Sequence, residues 1–252
     1  MYKYLIMILF ALPVAVSAQS DNFIPDFASP LPFKGLKGKP KVVIEKCMEA
    51  HFEPKGDTLC SEPYYIEKTF FAPDGKIDST QMIWPQHMSS LYYNEADVPY
   101  KVNSYNIVGA DTILTKINEN TYTWLTSDTV LTICRTTNIQ TMEISNRIDT
   151  TLVNYKEHSI TNGPFDKKNV SFYDQGRLIK SIIENGTYNL TTEYLYPEGR
   201  MIQVKYSRKG EDIGGIDIMY LQFDKEGNWL RQIMQDDRRV AGNMMQRQIT
   251  YY

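Results

Sequence analysis

The sequence predicts an all-β protein, an antiparallel meander of β-hairpin repeats forming a curved or open sheet. The first observation is a short pattern that returns four times: an aromatic, a turn closing on Gly, a cation or Asn, then an apolar residue. Its copies are Phe71-Ala-Pro-Asp-Gly-Lys-Ile77, Tyr173-Asp-Gln-Gly-Arg-Leu178, Tyr196-Pro-Glu-Gly-Arg-Met201 and Phe223-Asp-Lys-Glu-Gly-Asn-Trp229, each between two strand-like runs. The second is alternation. Leu190, Thr192, Tyr194 and Tyr196 share one side of a strand and Glu193 takes the other, while Ile202, Val204 and Tyr206 oppose Gln203 and Lys205. The third is that no stretch sustains a helical period; the best candidate, 44–51, is short and lies between Pro40 and Pro54.

Strand-like runs rich in Tyr, Thr, Ile and Val are expected at 41–52, 64–71, 77–84, 89–93, 100–108, 112–117, 121–125, 130–137, 141–144, 150–155, 169–173, 178–183, 188–196, 201–207, 216–223, 229–234 and 245–251. Gly75, Gly176, Gly199 and Gly227 are the turn glycines, where a tight hairpin or bulge asks for positive φ and a nearby Asp or Glu accepts from turn amides. The aromatic before each turn packs across the pair on the apolar residue after it. Between about 112 and 160 the aromatic–Gly signature is lost and the strands turn Thr-rich. That section is expected to be irregular, either part of the same sheet or an inserted hairpin pair.

The ends set the compartment. Lys3, an apolar stretch over 5–16 and Val16-Ser17-Ala18 before Gln19 form a signal-peptide pattern over 1–18. That stretch is shorter than the ~20 apolar residues of a spanning helix, so no transmembrane segment is expected. No Cys follows the cleavage site to carry a lipid. Residues 19–40, with Pro25, Pro30, Pro32 and Pro40, read as an extended lead-in, and 41–252 as the β-hairpin repeat domain. A net charge of −3 argues against nucleic acid as a partner.

Three cysteines are present. Cys47 and Cys60 flank the turn signal Glu53-Pro-Lys-Gly-Asp57, which makes a cross-strand disulfide geometrically plausible in an oxidising compartment; the alternatives are buried thiols, or a zinc site with His51 that lacks a fourth ligand. Metalloprotease, nucleophile-elbow, phosphate-loop and EF-hand motifs are all absent. His87, in Trp84-Pro-Gln-His-Met88, reads as a turn histidine. In Glu157-His158-Ser159 neighbouring side chains would point to opposite faces of a strand, so they form no relay. No catalytic residue, metal or cofactor is assigned, and the chain is read as a non-enzyme. Asn169, Asn185 and Asn189 open glycan-acceptor triplets that matter only in a eukaryotic secretory pathway.

At its repeat turns the chain resembles the tyrosine–aspartate (YD, Rhs-type) repeat class of extracellular β-proteins, in the short exported form of Bacteroides-type bacteria. The residues that carry the resemblance are Leu36-Lys-Gly-Lys-Pro-Lys-Val-Val43, the turns beginning Tyr173-Asp and Phe223-Asp, Trp229-Leu-Arg231, and Arg247-Gln-Ile-Thr-Tyr-Tyr252; Phe71 and Tyr196 lack the adjacent Asp. The resemblance implies a curved antiparallel sheet, a cell-envelope setting in the periplasm or at the surface of a Gram-negative bacterium, and no catalytic residue.

The functional expectation is a non-catalytic module that binds a protein or glycan partner in the envelope. Its candidate binding aromatics are Tyr64, Tyr92, Tyr173, Tyr194, Tyr196 and Trp229. An envelope hydrolase with an Asp/Glu site and a purely structural spacer are the alternatives.

Overall fold

Strands follow one another with turns between them, and no α-helix interrupts the series among the described residues of the computed structural model. Those residues are 36–52, 58–94, 99–163, 167–175, 177–185, 188–197, 200–236 and 241–252. The expected signal peptide and the lead-in up to residue 35 lie outside them, as do Gly176 and Gly199. The strands are β1 (Pro40–Phe52), β2 (Thr58–Cys60), β3 (Tyr65–Phe71), β4 (Ile77–Trp84), β5 (His87–Tyr93), β6 (Pro99–Val108), β7 (Asp111–Trp124), β8 (Thr129–Asn138) and β9 (Ile144–Asn154). They continue with β10 (Ser159–Asn162), β11 (Lys167–Asp174), β12 (Arg177–Asn185), β13 (Tyr188–Leu195), β14 (Gln203–Arg208), β15 (Glu211–Phe223), β16 (Trp229–Asp236) and β17 (Ala241–Tyr251).

The four repeat segments connect β3 to β4, β11 to β12, β13 to β14 and β15 to β16. Gly75 and Gly227 take φ of 90° and 80°, and Gln175, the residue before the turn glycine of the Tyr173 copy, takes 48°. In the last copy the Asp224 carboxylate accepts from the amides of Glu226 and Asn228, both at 2.9 Å, which closes the loop around Gly227.

The open sheet expected from sequence is overturned by pairing. From β3 to β17 every strand pairs antiparallel with the next, and β1 pairs with β3 on one edge and with β17 on the other. The short β2 lies on the same edge of β1 as β3, opposite residues 50–52, so β2 and β3 are two parts of one interrupted wall position. Two backbone bonds carry the ladder across the interruption, Ser61 N to Glu49 O at 3.0 Å and Tyr64 N to Cys47 O at 3.1 Å. The result is a closed ring of sixteen strands among the described residues. Closure pairs the edges that an open sheet would leave exposed, and it is also what sets aside the resemblance to the YD/Rhs class, whose implied architecture is an open curved sheet.

The middle section is regular, which corrects the second expectation. The runs at 112–117 and 121–125 are one strand, β7, and those at 141–144 and 150–155 are joined in β9; their unbroken registers with β8 make long hairpins of the ring. β2 and β10, of 3 and 4 residues, were invisible in the sequence because neither is long enough to alternate.

Burial separates the two faces of the wall. On β9, Thr151 and Val153 are buried whereas Ile148, Thr150 and Leu152 are exposed; on β15, Gly214 and Ile218 are buried whereas Asp217 and Met219 are exposed. On these two strands the buried set faces the lumen, whereas on β1, β16 and β17 the outward Met48, Ala50, Ile233 and Met244 are buried as well. The outward set carries charged rows near mid-strand: Glu119 stands opposite Arg135, and Lys180, Glu193 and Lys205 follow across β12, β13 and β14, with Lys180 and Glu193 3.6 Å apart. Among the described residues no helix is long and apolar enough to cross a membrane.

Apolar packing is divided into small clusters. Val43, Phe71 and Ile77 are buried together, with Leu36, Tyr93 and Ile249 against them, where the start of β1 meets the end of β17. Met48, Ala50, Ile233 and Met244 form a second cluster on the other face of β1, β16 and β17. Cys60 reaches this second group, its thiol 3.6 Å from Met244 Sδ.

Candidate functional site

The lumen widens into a hollow of about 1200 Å³ against the inward faces of β1, β3 and β12–β17. Strand alternation places its side chains: on β13 Tyr194, on β15 Ile218 and Tyr220, on β16 Gln232 and Met234, on β17 Met245 and Arg247, on β1 Glu45 and on β3 Glu67. The β13–β14 and β15–β16 turns add Tyr196, Arg200, Phe223 and Trp229 at its rim, and Arg177 joins them from the start of β12.

Guanidinium groups over aromatic rings organise the hollow. The Arg247 guanidinium carbon is 3.6 Å from the centroid of the Trp229 ring, that of Arg200 is 4.2 Å from Phe223, and that of Arg177 is 5.8 Å from Tyr196. Tyr220 joins the same aromatic group, with centroids 5.9 Å from Phe223 and 6.3 Å from Trp229. Arg247 is also the best-anchored cation: it is 7% exposed and donates from Nη2 to Glu45 Oε1 at 2.6 Å and from Nε at 3.1 Å. A buried charge needs such a partner, and Glu45 supplies it across the β1–β17 boundary.

The Tyr196 hydroxyl is buried and has no hydrogen-bond partner among the described residues. Its pKa is pushed up to about 12, mainly by burial and further by the neighbouring Tyr194 and Tyr220, with Arg177 pulling the other way. A neutral phenol therefore stands in the hollow at physiological pH, able to donate one hydrogen bond and to accept another. Burial likewise raises Tyr220, against the opposing pull of Arg247 and Arg200.

Of the six aromatics singled out from sequence, Tyr194, Tyr196 and Trp229 line this hollow. Tyr173 lies on the inward face of β11 beside the β12 turn, and Tyr92 belongs to the outward face of β5. Tyr64 sits in the interruption between β2 and β3, donating to Asn243 Oδ1 at 3.0 Å with the Cys47 thiol 2.9 Å from its hydroxyl. Sequence reasoning missed Tyr220, Phe223 and the three arginines. The available signal for Arg177 and Arg200 was their place directly after a turn glycine, where they were read as turn residues only.

Of the alternatives for Cys47 and Cys60, both are free thiols here rather than a disulfide. Register sets Cys60 opposite Ala50 and Cys47 opposite Tyr65, which puts the two thiols on opposite faces of the wall, and the same separation breaks up the zinc alternative. Burial pushes the Cys47 thiol up, with Tyr64 pulling the other way. His87 is the first residue of β5 rather than a loop residue; its ring lies 5.7 Å from Trp84 and its Nε2 is 3.2 Å from Ser89 Oγ. Among the described residues no group of three His, Cys, Asp or Glu side chains could hold a metal ion.

A second lumenal hollow, of about 720 Å³, lies along β7–β9, β11 and β12 and is lined mainly by amides and hydroxyls, including Asn120, Tyr122, Thr132, Asn162 and Asn169. Its only ion pair among the described residues, Arg147 with Asp149 at 2.7 Å, is along one strand.

The fold and the hollows together define a closed antiparallel β-barrel with a polar and aromatic lumen. No protein-family model matches the chain, and no curated protein matches it in sequence. Among solved structures it is similar to a porin-like protein from Bacteroides vulgatus ATCC 8482, with 10% identity, 81% of this chain and 97% of that one covered, and a TM-score of 0.37. It is also similar to a porin-like protein from Bacteroides uniformis ATCC 8492, with 8% identity, coverages of 82% and 96%, and a TM-score of 0.34.

Proposed function

We propose that this chain is an exported, non-catalytic barrel of the cell envelope that stands in water and binds a saccharide in the hollow beside Trp229. One observation carries the reading. Five aromatic side chains, Tyr194, Tyr196, Tyr220, Phe223 and Trp229, converge on a single hollow from four separate positions in the ring, with polar groups between them. Sugar rings present C–H faces that stack on such platforms and hydroxyls that need donors and acceptors at the edge. Gln232, 5% exposed, and the unpartnered Tyr196 hydroxyl supply that edge.

Two rival readings find less support. A hydrolase needs two carboxyl groups facing each other across a cleft, and of the carboxylates in the hollow Glu45 is committed to Arg247. A structural spacer gives no reason for an unsatisfied phenol in an aromatic hollow.

The test is calorimetric titration of the mature chain, residues 19–252, with a panel of oligosaccharides, repeated with Tyr194→Ala. Saturable binding that the substitution weakens by at least tenfold supports the reading; a folded protein that binds no saccharide overturns it.

A further inference from the structure

We infer that the saccharide is acidic and that Arg177 and Arg200 clamp its carboxylate. This rests on the saccharide reading above and adds the chemical class of the sugar.

The cations of the hollow are not equivalent. Arg247 is neutralised by Glu45, whereas neither Arg177 nor Arg200 meets a carboxylate among the described residues. Each guanidinium is instead associated with a ring, Arg177 with Tyr196 and Arg200 with Phe223. A guanidinium held over a ring keeps its N–H edges free, and that planar fork matches the two oxygens of a carboxylate. Lys37 adds a further positive charge at the rim, so the lining residues carry four cations against the two carboxylates Glu45 and Glu67.

The Tyr196 hydroxyl gives the second, independent observation. It is buried, has no partner among the described residues, and belongs to the side chain that Arg177 overlies. A buried polar atom left without a partner is costly, and a ligand oxygen bound at Arg177 can accept from it. A sugar acid combines the required parts in one residue: a ring for the aromatic platform, hydroxyls for Gln232, and a carboxylate for the two arginines.

The experiment compares tri-galacturonate with its methyl ester, which has the same rings and no charge, and with a sulfated trisaccharide of the same length. The acid is expected to bind on the order of tenfold or more tighter than the ester, as a charge-assisted bidentate contact implies. Arg200→Gln, at the exposed rim, and Arg177→Gln with Arg200→Gln together should abolish that preference, so that each variant binds acid and ester alike, with thermal melts checking that each variant folds. Equal affinity for acid and ester overturns the acidic class and leaves the saccharide reading standing. Equal gain from sulfate and carboxylate overturns the carboxylate assignment. Loss of all binding to any saccharide by the unmodified protein overturns both readings.

Discussion

Arg247 and Glu45 pair across the line where the last strand meets the first, with Nη2 2.6 Å from Oε1 and both side chains almost fully out of water. The pair ties the closure of the barrel to the hollow, because the same guanidinium stacks on Trp229. Removing one partner of a buried ion pair strands the other, so Arg247→Met is expected to destabilise by about 3–5 kcal/mol. Glu45→Met should cost a similar amount, and the double substitution less than the two singles combined. Urea unfolding of the four proteins measures this as a double-mutant cycle. Additive losses would mean that the pair does not act as a unit.

The loop that closes on Gly227 predicts a pH dependence. Asn228 is 1% exposed; its Oδ1 accepts from Lys37 N at 2.6 Å and its Nδ2 donates to Lys37 O at 3.0 Å, and Tyr251 donates to Asp224 beside it. Burial raises Asp224, but hydrogen bonds from Tyr251, Asn228 and Glu226 outweigh it and hold the carboxyl below its ordinary value. Tyr251 is pushed up to about 12 by burial and by Asp224. A depressed folded-state pKa contributes stability that is complete above the ordinary value of 3.8 and fades as pH falls through the folded value; a raised one contributes below 10.0 and fades as pH rises toward about 12. Thermal melts should therefore fall off at both extremes. Asp224→Asn should be less stable at pH 7 and lose less than the parent between pH 5 and pH 2. An identical acid limb in both proteins would remove Asp224 from the account.

How far the fold could be read from the chain is best judged at particular residues. The four turns and the alternation of Leu190, Thr192 and Tyr194 against Glu193 were legible because hairpin chemistry and pleat are local, with periods of a few residues. Closure was not, because it depends on pairings such as Val43 with Ile249, which no local pattern encodes. The Thr-rich stretch around 112–160 looked irregular for a related reason. The lumenal side chains there are polar, among them Asn118, Asn120, Thr132 and Thr136, so the usual contrast between an apolar and a wet face is weak. The hollow was half legible. Tyr194, Tyr196 and Trp229 stood out as aromatics, but their arginine partners come from other hairpins and meet them only once the ring curves.

Gly215 is a close-approach glycine with no unusual φ to advertise it. A Cβ built there would lie 2.6 Å from the Val204 carbonyl oxygen on the neighbouring strand, a backbone atom that can move only with the wall. Gly215→Ala is expected to destabilise by about 1–3 kcal/mol, as overpacking does. Gly109→Ala meets no neighbouring atom within 4 Å, and its φ of 64° leaves about 1–2 kcal/mol of left-handed backbone strain as its whole cost. Denaturation midpoints separate the two mechanisms when each site is also changed to Asn. Asn relieves the strain at 109, because it tolerates the left-handed region, and cannot relieve the clash at 215. Recovery at both positions would remove the steric account of Gly215.

The outward face decides whether this barrel lives in water or in lipid. Lys46, Lys68, Arg135, Lys180, Lys205 and Arg231 all belong to the outward register near the middle of their strands, and Glu119, Glu193 and Asp217 share that face. A transmembrane barrel keeps this zone apolar, and each Lys or Arg there costs about 2–4 kcal/mol at the bilayer midplane. Aliphatic residues do occur on the same face, with Ile148 64% and Leu152 50% exposed, but Ile148 is separated from Ile144 by the row that pairs Arg135 with Asn146. The mature chain is therefore expected to purify as a folded, monodisperse species in detergent-free buffer and to stay in the supernatant when mixed with phospholipid vesicles and centrifuged. Sedimentation with the vesicles that survives a high-salt wash would show that the wall inserts despite its charges, and would move the barrel from the aqueous compartment into the membrane.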